Sequence, residues 1–252
     1  MPGSAFPSAG AFGFALAMVT AAGLIRGFTG FGFSITAVSL LSLLAPPARA
    51  VPVVVMLQFL VSVSGLPAAL RLCDWRSLRL LALGALIATP FGVWGLAHLP
   101  EALVRLAIAG IVLFAAILLL RGLHLDVTPR GLGVVAFGMV AGLFNGLAGM
   151  SGPPVIAFYL ASPVEGAVAR ASMIVFFVAT SSIALVPLLA LGGLGRANML
   201  AAAGSFPFAW AGTLTGAMLF RRTPEARARR VSRTLLLAIS LLATVRAALA
   251  FA

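Results

Sequence analysis

The chain has no lysine, a single cysteine and only five acidic residues among its 252. The lone cysteine, Cys73, excludes an internal disulfide bond and any CxxC metal or redox motif. Charged residues make up 9% of the chain and hydrophobic residues 62%, whereas soluble domains carry roughly a quarter charged residues. No soluble fold buries so large an apolar fraction, so the sequence predicts a membrane protein in contact with the lipid bilayer.

The charge balance is strongly basic, and every basic residue is an arginine. Seventeen arginines give a formal net charge of +12. They are distributed between apolar runs instead of forming one patch, so we interpret them as topology and lipid-headgroup residues and expect no nucleic-acid partner. No arginine precedes Arg26. The N-terminus therefore lacks the basic region of a signal peptide and is expected to be retained.

The position of the acidic residues narrows the function. All five fall in loops or at the ends of apolar runs: Asp74, Glu101, Asp126, Glu165 and Glu225. Cation-coupled carriers usually need a carboxylate in mid-membrane, so this placement favours an anion as the cargo. The apolar runs also contain no nucleophile with a base and no metal-ligand cluster, which argues against an enzyme and predicts no cofactor.

The apolar runs predict an all-α membrane protein built from two inverted repeats. Residues 1–122 form the first repeat, with a glycine-broken helix over 10–45 and spans over 50–70, 78–97 and 102–120. A linker over 123–130 leads to the second repeat, 131–252, with a broken helix over 131–161 and spans over 168–192, 197–219 and 231–250. Each broken helix consists of two runs of about 10–16 residues, too short to cross a core of ~30 Å.

Three sequence matches in the same order support the duplication. Residues 22–30 match residues 141–149 at five of nine positions, 119 residues further on. Shorter matches follow, 48–50 with 169–171 and 100–102 with 224–226. The offset drifts only from 119 to 124, which is hard to obtain by chance.

Hydropathy leaves open whether each broken helix crosses the membrane once or turns back as a re-entrant pair. With single crossings, the arginines of the loops divide nine to six between the two faces; with re-entrant pairs they divide twelve to three. The positive-inside rule favours the second arrangement. The repeats are then inverted, and both termini are periplasmic.

The two breaks are the candidate substrate site. A helix broken inside a membrane exposes backbone groups that lipid cannot satisfy, so the break has to face protein or a wet cavity. A restarting helix offers free N–H groups to an anion, and matching breaks in two repeats are typical of transporters. The predicted substrate-binding residues are Arg26, Gly27, Thr29, Gly30, Gly32 and Ser34 in the first repeat and Asn145, Gly146, Gly149, Ser151, Gly152 and Pro153 in the second. The alternative is that the glycine spacings only bring helices together.

Arg26 is the charge placed deepest in an apolar run. It is expected to neutralise an anion, to cap the carbonyl end of its helix, or to do both. Its counterpart in the second repeat is Asn145. The predicted site therefore holds one charge and one neutral amide.

Further candidates lie on later helices. Arg49 and Arg170 occupy equivalent helix starts, where they either guide anions from opposite sides or snorkel to the membrane interface. Gln58 and the hydroxyls at 180–182 are secondary candidates for lining the path, since hydroxyls in helices often bond their own backbone.

The segments 27–32 (GFTGFG) and 146–154 (GLAGMSGPP), together with the four-element halves, resemble the sulfite exporter TauE/SafE family of anion permeases. The resemblance covers nearly the whole chain. It implies a multi-pass protein of the bacterial inner membrane that moves sulfite, organosulfonates or related small anions.

We therefore expect a transporter of a small anion, with export as its direction, that works by alternating access around the two breaks. An anion channel and an accessory subunit of a larger membrane complex are the alternatives. A homodimer is compatible with the Gly/Ala-rich helices.

Overall fold

The computed structural model describes residues 9–121 and 130–223, together with residues 231 and 234. The described ranges contain nine helices and no strand, which confirms the all-α class. The helices are α1 (Ala9–Thr29), α2 (Phe33–Leu41), α3 (Pro47–Leu72), α4 (Trp75–His98), α5 (Glu101–Arg121), α6 (Leu132–Ala148), α7 (Gly152–Ala161), α8 (Gly166–Ala190) and α9 (Arg196–Arg222). Almost all of the predicted linker 123–130 and of the predicted span 231–250 lies outside the described residues.

Five described helices are long and apolar enough to cross a bilayer: α1, α3, α4, α5 and α8. Helix α9 has 27 residues but is less apolar, and α6 is shorter, with 17 residues. Large apolar side chains such as Phe91 and Trp94 point outward, where lipid replaces water. The chain is therefore a multi-pass membrane protein.

The first break is narrower and lies later in the chain than hydropathy predicts. Helix α1 runs through Arg26 and Gly27 to Thr29, giving 21 residues, so the expectation that its apolar run is too short to span is wrong. The arginine lowers the local hydropathy, but it is a good helix former and does not end the helix. The helix ends only at Gly30 and Gly32, both with φ of 89°, a conformation that favours glycine.

The second break has the same form. Helix α6 continues to Ala148, four residues beyond the apolar run, and Gly149 follows with φ of 67°. Helix α7 then begins at Gly152, with Pro153 in its first turn, where a proline needs no N–H partner. The two breaks are therefore residues 30–32 and 149–151.

Helices α1 and α9 are packed so closely that their backbones touch. A Cβ added at Gly23 or Gly27 of α1 would meet backbone atoms within residues 209–217 of α9. Gly212 and Gly216 of α9 in turn face the backbone of α1. Residue numbers rise together along the contact, so the two helices run parallel. Small residues at such interfaces are typical of membrane helices.

The pair α4–α6 repeats this contact. Gly27 lies against Thr213 of α9, and Gly146 lies against Thr89 of α4. The two glycines are 119 residues apart and their two partners 124 residues apart, the same offsets that occur in the sequence matches. Helices α4 and α6 therefore also run parallel and are packed in the same way as α9 and α1.

Helices α3 and α8 run antiparallel in the middle of the bundle. Pro52, near the start of α3, lies beside Gly193, which follows the end of α8. At the other end, the N–H of Asp74, after α3, donates to Ser172 Oγ near the start of α8 at 2.8 Å. Residue numbers that rise along α3 therefore fall along α8.

These directions give the bundle two distinct ends. One, which we call the arginine-rich end, gathers Arg71, Arg76, Arg79, Arg130, Arg170, Arg221 and Arg222. The opposite, arginine-poor end holds Arg49, Arg105 and Arg196.

Helices α1 and α2 lead away from the arginine-poor end and back to it. Arg170 Nη2 donates to the Gly27 carbonyl at 2.8 Å, which places the last turn of α1 near the arginine-rich end. Ser42, directly after α2, accepts from Arg105 Nη1 through its carbonyl at 3.0 Å, which places it at the arginine-poor end.

Helices α6 and α7 lead away from the arginine-rich end and back to it. Helix α6 starts at the arginine-rich end, beside the start of α4. Helix α7 comes back toward that end, because the hydroxyl of Tyr159 lies 3.1 Å from Ser77 Oγ in the first turn of α4.

We expect Gly216→Ala to destabilise the bundle, because the new methyl group would fall on the Leu24 carbonyl of α1. Overpacking of this kind costs about 1–3 kcal/mol, so the melting temperature in detergent should fall. Gly110→Ala on α5 is the matched control, since a Cβ there meets nothing within 4 Å. Equal melting temperatures for the two variants would contradict the close α1–α9 contact.

Candidate functional site

A buried polar cluster lies where the ends of α1 and α6 meet α3 and α8. Its charged member is Arg26, which is 5% exposed and donates from Nη2 to Ser62 Oγ of α3 at 2.8 Å. The guanidinium carbon of Arg26 lies 5.7 Å from the centroid of the Phe177 ring of α8, within cation–π range. Its Nη1 is buried and has no hydrogen-bond partner among the described residues.

No described carboxylate pairs with Arg26. The ion pair found within the described ranges joins Arg105 to Glu101 at 2.6 Å, at the arginine-poor end. The described residues likewise contain no group of three or more His, Cys, Asp or Glu that could hold a metal. A buried charge without a counter-ion costs several kcal/mol. The negative end of the α1 dipole offsets part of that cost, because Arg26 lies in the last turn of the helix.

The second break contributes a neutral amide to the same region. Asn145 is 1% exposed, and its Nδ2 donates to the Thr180 carbonyl of α8 at 2.9 Å. The Ser151 hydroxyl lies 3.3 Å from the Thr180 hydroxyl. Phe177, which stacks with Arg26, is about one turn from Thr180 on α8. The structure therefore brings the two sequence-equivalent positions, Arg26 and Asn145, to neighbouring turns of one helix.

Seven further buried oxygen atoms have no hydrogen-bond partner among the described residues, and three of them belong to residues predicted to bind the substrate or line its path: Ser34 Oγ, Gln58 Oε1 and Ser181 Oγ. Gln58 lies one turn before Ser62 on α3, and its backbone carbonyl accepts the Ser62 hydroxyl at 2.5 Å. Buried polar atoms are normally paired, so unpaired donors and acceptors around a break indicate a place for a polar ligand or ordered water.

The breaks themselves expose backbone. They and the start of α7 are formed by the predicted residues Gly30, Gly32, Gly149, Ser151, Gly152 and Pro153. Neither Gly32 nor Ser151, the residues that precede α2 and α7, makes a side-chain cap. The first N–H groups of α2 are therefore not occupied by a cap, as anion binding at a helix start requires. In α7 the first-turn donor is the Gly152 N–H, because Pro153 and Pro154 have no N–H.

Three predicted site residues are used in other ways. Gly27 and Gly146 face the backbones of α9 and α4, so helix packing, the alternative considered from the sequence, describes both positions. The Thr29 hydroxyl lies 2.8 Å from the Ile25 carbonyl and accepts the Phe31 N–H at 3.2 Å, which closes the turn after α1.

The equivalent arginines Arg170 and Arg49 have different surroundings. Arg170 is half-buried and binds the Gly27 carbonyl, and its guanidinium carbon lies 4.8 Å from the Phe220 ring centroid. Arg49 is exposed, and its side chain has no hydrogen bond or ion pair among the described residues.

Two residues around Arg26 were missed by the sequence reasoning. Ser62 lies one turn after Gln58 in a span whose other polar residue is Ser64, and the one-turn spacing of Gln58 and Ser62 is a signal that could have found it. Phe177 is one of 18 phenylalanines, and nothing in the sequence distinguishes it from the others.

Comparison with known proteins gave two matches. A family model described as "Sulfite exporter TauE/SafE" matches residues 15–243. A protein of Cupriavidus necator named "Probable sulfite/organosulfonate exporter TauE" is 29% identical over 220 residues, which cover 84% of this chain and 85% of that protein. No solved structure matches the chain.

We expect Ser62→Ala to lower the melting temperature, because it leaves a second buried N–H of Arg26 without an acceptor. Leaving a charged donor unpaired costs about 1–3 kcal/mol. Ser64→Ala is the control, since the Ser64 hydroxyl bonds only to the Val61 carbonyl of its own helix, at 2.7 Å. A control that melts as low as the Ser62 variant would contradict the special role of the Arg26–Ser62 contact.

Proposed function

Because the chain belongs to the sulfite exporter TauE/SafE family, as the resemblance of its glycine segments implied, we propose that it carries sulfite, an organosulfonate or a related small organic anion across the bacterial inner membrane. The name of the C. necator relative supports export as the direction. The observation that carries the proposal is Arg26, a buried guanidinium with one nitrogen unpaired and no described acid beside it.

Arg26 suits an oxyanion in geometry as well as in charge. Its planar guanidinium presents parallel N–H groups that fit two oxygens of one anion. Sulfite and sulfonates carry three oxygens on one sulfur, so a third oxygen is left for a neighbouring donor. Asn145, Ser34, the first N–H groups of α2 and the Gly152 N–H of α7 are the donors that we assign to it. The site residues at the breaks thus supply hydrogen bonds, and Arg26 supplies the charge.

We further propose that the two repeats are inverted and that each broken helix is a re-entrant pair. The antiparallel direction of α3 and α8 supports inversion, since single crossings would make these equivalent helices parallel. The contacts Arg170–Gly27 and Arg105–Ser42 at opposite ends support the return of α2. In inverted repeats the two halves can exchange conformations around a fixed central site, which is the basis of alternating access.

Two alternative functions are an anion channel and an accessory subunit of a larger membrane complex. Both would keep the same charge at Arg26. The family match favours a carrier that acts on its own, and transport requires no catalytic group. The homodimer that the sequence allows is not needed for any of these functions.

Purified protein in proteoliposomes should take up radiolabelled sulfite or sulfoacetate, with saturation and with counterflow from preloaded vesicles. Linear uptake without counterflow would indicate a channel, and no uptake by the protein alone would indicate an accessory subunit.

We expect Arg26→Ala to reduce the initial uptake rate at least tenfold, because the anion would lose its charged partner in a low-dielectric site. Arg26→Lys should retain part of the activity, since it keeps the charge but not the fork of donors. Arg71→Ala, an exposed arginine at the end of α3, is the matched control and should transport like the unmodified protein. Wild-type rates in Arg26→Ala would refute the assigned binding role.

The proposed orientation can be tested with reporters fused after residue 222 and at the C-terminus. The positive-inside rule places the arginine-rich end in the cytoplasm. After residue 222, a reporter that works only in the cytoplasm should therefore be active. At the C-terminus, a reporter that works only in the periplasm should be active. The opposite pattern would reverse the orientation, and identical locations for both reporters would contradict the predicted last span.

A further inference from the structure

Arg170 contacts the backbone of α1 directly after Arg26 through its side chain. It belongs to the first turns of α8, yet its side chain reaches across to α1 and donates to the Gly27 carbonyl at 2.8 Å. Its methylene groups cover Gly30, where an added Cβ would lie 3.1 Å from the Arg170 Cγ. Gly27 directly follows Arg26 in the chain. The guanidinium of Arg170 therefore binds the backbone next to the central charge and lies over the first break.

Aromatic rings complete this contact. The Arg170 guanidinium carbon lies 4.8 Å from the centroid of Phe220, near the end of α9. Phe220 in turn meets Phe28 of α1 edge to face, with ring centroids 5.9 Å apart. One side chain from α8 thus holds the ends of α1 and α9 together through a hydrogen bond and a stacked cation.

The arginines at this end form a series of increasing burial. Arg221 is exposed at the end of α9, Arg170 is half-buried, and Arg26 is buried. Arg221 and Arg170 are close enough to repel each other, as are Arg170 and Arg26. Measured along α8 from its first residue, Arg170 lies at about 6 Å. Phe177, which contacts Arg26, lies at about 16 Å on the same scale. The described residues place no carboxylate beside any of the three.

We propose that Arg170 forms an outer anion-binding site at the arginine-rich end. Its hydrogen bond to the Gly27 carbonyl acts as a latch, which keeps the site around Arg26 closed to that end until an anion replaces the carbonyl. This inference rests on the proposed function and adds an access step to it. In the latched state the Gly27 carbonyl is the partner of Arg170. A sulfonate or sulfite anion competes for the guanidinium with a full charge and two oxygens, against one neutral carbonyl. Its binding releases Gly27 and frees the α1 end, and the anion then passes to Arg26.

The equivalent position at the other end lacks this contact. Arg49 matches Arg170 in the sequence repeat, but its side chain is exposed and without a described partner, and the match to Phe220 is Leu96, which offers no ring to a cation. We therefore assign the latch to the arginine-rich end alone.

Access can be measured with one cysteine behind the latch. In a Cys73→Ser background, which removes the chain's single cysteine, Ser62→Cys places a thiol beside Arg26. The probe is the membrane-impermeant, anionic reagent 2-sulfonatoethyl methanethiosulfonate, applied from the arginine-rich side of oriented vesicles. We expect slow labelling with Arg170 intact.

Arg170→Ala and Phe220→Leu should each accelerate labelling about tenfold, since one charge-assisted hydrogen bond or cation–π contact shifts a two-state equilibrium by about that factor. Removing a positive charge alone slows an anionic reagent, so faster labelling in Arg170→Ala reports opening. Arg222→Ala, which removes an exposed charge from the same end, is the control and should not accelerate labelling. Unchanged rates in both Arg170→Ala and Phe220→Leu would overturn the latch.

The binding site has its own test. Purified Arg26→Ala protein should still bind sulfoacetate in calorimetry, at least tenfold more weakly than the unmodified protein, and the added Arg170→Ala change should abolish that binding. Loss of all binding in Arg26→Ala alone would overturn the outer site. If labelling behaves as expected but no anion is transported, the latch stands and the proposed function fails. If Arg26→Ala abolishes uptake while Arg170→Ala leaves labelling unchanged, the function stands and the latch fails.

Discussion

A guanidinium buried inside an apolar helix bundle has to be surrounded by groups that replace water, and Arg26 imposes this condition on the rest of the structure. The end of α1 provides its backbone dipole, Ser62 provides an acceptor, and Phe177 provides the face of a ring. The first of these requires that α1 stop inside the bundle, one turn after the arginine. The break at Gly30 is thus the condition that allows the charge to be buried.

Helices that end inside a membrane need support from their neighbours, and close backbone packing provides it. Helix α1 lies along α9 and α6 along α4, each through glycines that leave no room for a side chain. The breaks are consequently held in place by long helices of the other repeat. In the predicted division, α9 belongs to the second repeat and α1 to the first, so the two predicted halves are interlocked at both breaks. A movement of one half against the other therefore changes the surroundings of both breaks together.

Much of this arrangement could be predicted from the sequence. The repeat offset identified Arg26 and Asn145 as equivalent, and glycine marked both breaks within a few residues. The sequence could not show that Gly27 and Gly146 serve packing, because their partners on α9 and α4 lie far away in the chain and glycine suits packing and ligand approach equally. Hydropathy ended the first run early because an arginine lowers the average even where the helix continues.

The difference between Arg26 and Asn145 follows from the energetics of the proposed site. Two buried guanidiniums at equivalent positions would double the desolvation cost and repel each other, and a single sulfonate group could neutralise only one of them. One arginine with one amide leaves a single charge, which one oxyanion matches, while the amide adds a hydrogen bond without further charge. A carrier must also release its cargo, and a site with one charge holds a monoanion less tightly than a site with two. In the proposed carrier, the two predicted repeats therefore share their breaks and packing but differ at the position where a second charge would hold the substrate too tightly.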